Sequence, residues 1–121
     1  MIYLASPYSH ELESIREIRF HQVCMVAAEL MRQGVHVYSP IAHSHPIAMH
    51  GLRSDWQFWK AYDHEYLRWC TGMIVLTLEG WKESVGVTEE IQFMAAERKP
   101  IILLDWQERL TEEQKQILTP D

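Results

Sequence analysis

Met73-Ile74-Val75-Leu76-Thr77-Leu78, then Glu79-Gly80-Trp81, then Lys82-Glu83-Ser84-Val85-Gly86-Val87-Thr88-Glu89-Glu90-Ile91, is the stretch that decides the fold. An uncharged, mostly apolar run of this length suits a strand buried on both faces. The polar turn with Gly80 ends it, and a helix over about 85 to 98 follows, closed before Pro100. Strand, turn, helix is half of a βαβ unit. The same grammar extends in both directions. Ile101 to Leu104 reads as a fourth strand and 111 to 118 as a short final helix. Upstream, residues 56, 59, 63, 66 and 70 share one face of a helix running from Ser54 or Asp55 to about Cys70.

Before that helix, residues 39 to 54 are rich in Pro, His, Ser and Gly without a period, and read as a loop. Loops of about 15 residues are uncommon in compact domains and more often functional. Val35 to Tyr38 is a short second strand, closed by Ser39-Pro40. A first helix is capped by Ser9, with Glu11 and Glu13 in its first turn. Its apolar positions 20, 23, 24, 27, 30 and 31 hold the helical period as far as Gly34. Residues 1 to 5 form an N-terminal buried strand stopped by Ser6-Pro7. Short apolar strands alternating with helices predict an α/β fold: one flavodoxin-like or Rossmann-like three-layer sandwich over residues 1–121, with a short parallel sheet of four to five strands. Ligands in such folds sit at the carboxyl ends of the strands, which places 5–10, 39–54 and 79–90 around one site.

Composition narrows the function. The chain has 121 residues, 47% hydrophobic and 23% charged, within the range of a single globular domain. A formal charge of −6 argues against a nucleic-acid polymer or an anionic membrane surface as partner. Its apolar runs are far short of a membrane span. Met1 leads into Ile2-Tyr3-Leu4-Ala5 without the basic region and long apolar run of a signal peptide. Cys24 and Cys70 lie inside apolar helical patterns without metal-like spacing, so a cytoplasmic location is expected. Five Trp and five Tyr exceed what one small core readily hides, which predicts a homo-oligomer, dimer or tetramer.

Two carboxylates stand out by angle. At about 100° per residue Glu90 lies some 60° from Val87, at the edge of the apolar stripe, whereas Glu89 points about 200° away, into water. On the preceding helix Asp63 lies within about 40° of Trp59, among aromatics, and Glu65 points outward. An Asp on an apolar face needs a hydrogen bond or a pocket. Ser84 and nearby N–H groups can donate to a phosphate or sugar, and Gly86 lets a ligand approach the backbone. Tyr8, Trp56 and Trp59 are candidates to stack on a ring. His43, His45 and His50, with Asp55, offer a metal site as a rival reading. Preferred is a role for His43 and His45 in lining a pocket, with no metal and no organic cofactor.

Tyr3-Leu4-Ala5-Ser6-Pro7-Tyr8, Asp63, and Ser84-x-Gly86-x-x-x-Glu90 occur in an order that resembles the nucleoside 2-deoxyribosyltransferase superfamily, most of all small members with a Gly-Trp-x-x-Ser-x-Gly signature. The resemblance covers nearly the whole chain. It implies N-glycosidic chemistry on a nucleoside or nucleoside 5′-monophosphate. Glu90 would attack the anomeric carbon, Tyr3 would place Glu90, and Asp63 (or Glu65) would assist the leaving base. Ser84 would bind a 5′-phosphate, with Ser6, Ser9 and Arg53 as further candidates. It also implies that a neighbouring subunit completes the pocket. Water or a second base would receive the sugar. The alternative is a non-catalytic nucleotide sensor using the same pocket.

Overall fold

A computed structural model describes residues 1–53 and 55–120. Four strands, β1 (Ile2–Ala5), β2 (Val37–Tyr38), β3 (Gly72–Leu76) and β4 (Ile101–Leu104), form one all-parallel sheet in the order β2-β1-β3-β4. Five helices accompany them: α1 (Glu13–Arg32), α2 (Pro40–Ala48), α3 (Trp56–Trp69), α4 (Val85–Ala96) and α5 (Glu112–Leu118). The expected α/β sandwich is what forms, with four strands.

Alternation along the strands sorts the core into two layers. Ile2 and Leu4 of β1 and Ile74 and Leu76 of β3 pack with Val23, Ala27 and Leu30 of α1 and Leu118 of α5. Tyr3, Ala5, Met73 and Val75 point the other way, against Leu67 of α3 and Val87 and Met94 of α4. That alternation sends Tyr3, rather than Leu4, toward the helix that carries Glu90. Strand order reverses between β1 and β3, so the loops after these strands diverge and leave a crevice at their carboxyl ends.

Four boundaries depart from the sequence reading. The first helix does not start at a Ser9 cap: α1 begins at Glu13, with Leu12 in the N-cap position and no side-chain cap. The arginines of α1 explain this. Arg19 donates to the carbonyls of Tyr8 (3.3 Å) and Ser9 (3.0 Å), and Arg16 to that of Glu11 (3.3 Å), which holds the segment extended and keeps Glu11 out of the helix. The second strand pairs with β1 only at Val37 and Tyr38, not from Val35. The third strand ends at Leu76, two residues earlier than expected.

The expected loop at 39 to 54 instead contains α2. Ser39 caps it by accepting from the Ala42 N–H at 3.1 Å, and Pro40 sits in the first turn, where no N–H is needed. Pro46 lies inside this helix and lacks the N–H that would continue the ladder, which hid the element from periodicity. The third helix begins at Trp56 with Asp55 as N-cap, and the alternative start at Ser54 lies outside the described residues. Among the described residues no helix is long and apolar enough to cross a membrane.

Candidate functional site

A cavity of about 230 Å³ opens at the carboxyl ends of β1 and β3. Ser6, Tyr8 and Ser9 after β1 form one wall, and Pro40, Ile41 and Ser44 of α2 a second. Trp56, Trp59 and Asp63 of α3 face Ser84, Gly86 and Glu90 of α4 across it. Strand-end loops and helix starts thus bring together residues far apart in sequence.

Glu90 is 4% exposed, and its carboxylate accepts a hydrogen bond from the Tyr3 hydroxyl. Tyr3 is fully buried behind Glu90 and does not line the cavity. Burial pushes the Glu90 carboxyl well above the ordinary carboxylate range; the Tyr3 bond opposes this, and the neighbouring charge of Asp63 adds to it. Burial likewise raises the Tyr3 hydroxyl, reinforced by Glu90, so Tyr3 is a donor throughout the physiological range.

Asp63 is 6% exposed on the buried face of α3, one turn from Trp59 and one turn from Leu67. Desolvation alone raises its carboxyl to about 7. Two carboxyls of raised pKa therefore face one cavity, one with a hydroxyl donor and one governed by burial. Glu65, the alternative second acid, is exposed on the opposite side of α3.

Ser84 is the N-cap of α4 and accepts from the Val87 N–H at 3.2 Å, which leaves its own hydroxyl proton free to donate into the cavity. Helix geometry leaves the N–H groups of Val85 and Gly86 without partners inside α4. Ser6 is 6% exposed, and its Oγ has no hydrogen-bond partner among the described residues. An orphaned hydroxyl on a cavity wall is a donor and acceptor waiting for a ligand.

Gly86 lines the cavity, and a Cβ there would lie 3.3 Å from Cε3 of Trp56, so the glycine makes room for the indole on that side. Three sequence expectations are corrected here, at Glu89, at His43 and His45, and at Arg53. Glu89 does not simply face water; it is half-buried and accepts from Trp56 Nε1 at 2.8 Å, with Lys60 at 3.2 Å. α3 packs alongside α4 on that side, which a single-helix angle could not show. His43 and His45 do not line the cavity. His43 is exposed near Tyr38 and Tyr66, while His45 is buried behind Tyr8. Arg53 is engaged with Asp55, donating to both its oxygens at 2.8 and 2.6 Å.

Among the described residues no group of three or more His, Cys, Asp or Glu side chains could hold a metal ion. Pro40, Ile41, Ser44 and Glu83 also line the cavity; they fall inside the segments 39–54 and 79–90 expected around the site, but no sequence signal singles them out. Sequence reasoning missed Glu17, whose spacing to His21 reads as a solvated pair on α1. Trp59 lines the cavity and donates its Nε1–H to the Arg53 carbonyl at 2.7 Å, so it is held as a wall.

No curated protein matches the chain. Residues 1–106 match the family described as Domain of unknown function (DUF1937), and the chain belongs to that family.

Proposed function

We propose that this chain breaks the N-glycosidic bond of a nucleoside and passes the sugar to water or to a second base. Glu90 is the nucleophile, and Asp63 is the acid that serves the departing base. The observation that carries this reading is the pair itself: a buried Glu90 supported by the Tyr3 hydroxyl, and a buried Asp63 with a carboxyl near 7, at one nucleoside-sized cavity. Glycosidic cleavage passes through an oxocarbenium-like state. Positive charge developing at the anomeric carbon favours the ionised form of Glu90 at the moment it is needed. Asp63 holds a proton up to about pH 7 and is matched to protonate or steady a leaving base. The resemblance to the nucleoside 2-deoxyribosyltransferase superfamily points the same way.

The cavity wall favours an unphosphorylated nucleoside. Asp55 and Glu83 put negative charge on it beside the largely protonated Asp63 and Glu90, with no Lys, Arg or His among its described residues. A 5′-phosphate would meet repulsion that the start of α4 offsets only in part. The reaction as read needs no metal or organic cofactor. The proposal also includes self-association as a dimer or tetramer, and a cytoplasmic setting that suits the free thiols Cys24 and Cys70.

The test is a chromatographic screen of purified protein against deoxy- and ribonucleosides and their 5′-monophosphates, with and without an acceptor base. Free base or a swapped nucleoside is expected from nucleosides in preference to monophosphates. Glu90→Gln should lower the rate by about 10³-fold or more. Silence from both proteins, with equal thermal stabilisation by ligand, would replace the enzyme with a sensor. A screen with neither turnover nor binding would sink both.

A further inference from the structure

Tyr8, His45 and Glu17 form a continuous hydrogen-bonded chain that starts on the cavity wall and ends at the surface. The Tyr8 hydroxyl lies 2.6 Å from His45 Nδ1, and His45 Nε2 lies 2.8 Å from Glu17 Oε2. The imidazole is 5% exposed, stacked on Phe20 at 4.2 Å and met edge-on by the Tyr8 ring at 5.5 Å. These rings fix its plane. The tautomer that suits a carboxylate at Nε2 donates from Nε2 to Glu17 and accepts at Nδ1 from Tyr8. Tyr8 thus directs its proton to His45, and its oxygen, which also faces the Arg16 guanidinium, keeps lone-pair capacity to accept from a ligand on the cavity side. Three separate segments contribute: the strand-end loop, α1 and α2. A hydroxyl, an oriented imidazole and an orienting carboxylate in this sequence are the parts of a general-base relay. Glu90 and Asp63, the groups that release the base, belong to the other side of the cavity.

We infer that Glu17, His45 and Tyr8 are a proton relay that activates the hydroxyl acceptor, water in the hydrolytic case, which resolves the glycosyl-enzyme. The inference rests on the proposed glycosidic reaction. In the first step Glu90, in its ionised form supported by the Tyr3 hydroxyl, bonds through oxygen to the anomeric carbon, the glycosidic C–N bond breaks, and the base leaves with the Asp63 proton. In the second, water oxygen bonds to the anomeric carbon as the bond to Glu90 breaks and Glu90 departs as carboxylate. The water proton passes to Tyr8 oxygen while the Tyr8 proton passes to His45 Nδ1. The resulting imidazolium is paired with Glu17, which His21 Nε2 approaches at 3.4 Å on the solvent side, where the proton is lost. Asp63 regains a proton from solvent, so the cycle balances. Tyr8 is the group at the ligand; His45 and Glu17 position and polarise it.

Rapid-quench kinetics on the nucleoside found in the screen test this, with Tyr8→Phe and Glu17→Gln beside wild type and with mass spectrometry of the quenched protein. Both substitutions conserve shape, and Glu17 is partly exposed, so its replacement guards against a folding defect at Tyr8. For Tyr8→Phe the expected result is a base-release burst of wild-type rate, followed by turnover about 10- to 100-fold slower. The sugar adduct on the protein should accumulate. Glu17→Gln should show the same pattern more weakly. Equal slowing of burst and turnover, or no slowing of either, overturns the relay while leaving the glycosidic reading intact. No burst, no turnover and no adduct in the wild type overturns that reading and the relay with it.

Discussion

Tyr3 and Glu90 stand 87 positions apart, yet the hydroxyl of one is committed to the carboxylate of the other. Among the described residues Asp63 has no such donor, and its carboxyl is governed by desolvation. That difference has a consequence for stability. The folded-state value of Asp63, about 7, lies above its ordinary 3.8, so folding favours the protonated acid. Its contribution is fully present below pH 3.8 and is lost as pH rises through about 7, at a cost on the order of 4 kcal/mol once it is ionised. Asp63→Asn keeps the shape and removes the titration. Urea unfolding should find the variant close to wild type at pH 4 and more stable than wild type at pH 8. The same substitution should slow base release. A stability difference that does not grow with pH would show that burial does not govern this carboxyl. The facing of Asp63 and Glu90 was legible from helical angles alone. That Glu89 is held by Trp56 and Lys60 was not, because angles within one helix carry no information about its neighbour.

Among the elements, α4 was the easiest to read and α2 the hardest. Ser84, ahead of an apolar period and close to Gly86, is an ordinary helix-start signal, and α4 starts where expected. α2 combines a capped start with an internal proline in nine residues, too short and too interrupted for a period to emerge. It nevertheless supplies a cavity wall and carries His45. Ser84 links local structure to the site, because one hydroxyl both caps α4 and lines the cavity. Ser84→Ala should destabilise the protein by about 1 kcal/mol and weaken nucleoside binding. Ser84→Asp should restore stability, since Asp caps equally well and its charge suits a helix N-terminus. It should not restore binding of any ligand that accepts from the Ser84 hydroxyl, because an ionised carboxylate offers no donor. Thermal melts and titration calorimetry on the two variants separate the roles. Parallel loss of stability and affinity in both would mean that Ser84 serves only the helix.

At the scale of the molecule, the order β2-β1-β3-β4 makes the crevice, and the short apolar strands made that order readable as a parallel class though not as a sequence of neighbours. Strand order depends on which helix covers which face, and that is decided by packing between distant residues. The sheet also leaves β4 as an edge. Ile101 packs into the α3/α4 layer, while Leu103, on the same face by alternation, is 52% exposed. Ile18 and Met25 on α1 and Trp69 at the end of α3 are likewise largely exposed. An open edge with an apolar side chain invites pairing unless another surface covers it. The proposed self-association answers this with a second copy over the β4 edge. Light scattering at micromolar concentration should return the mass of a dimer or tetramer. Leu103→Lys should lower that mass, because a charge on an edge strand opposes edge contact and the exposed side chain carries little of the core. Wild-type mass retained in Leu103→Lys would move the interface away from β4. A monomeric wild type would remove self-association from the proposal and leave one chain to build the whole cavity.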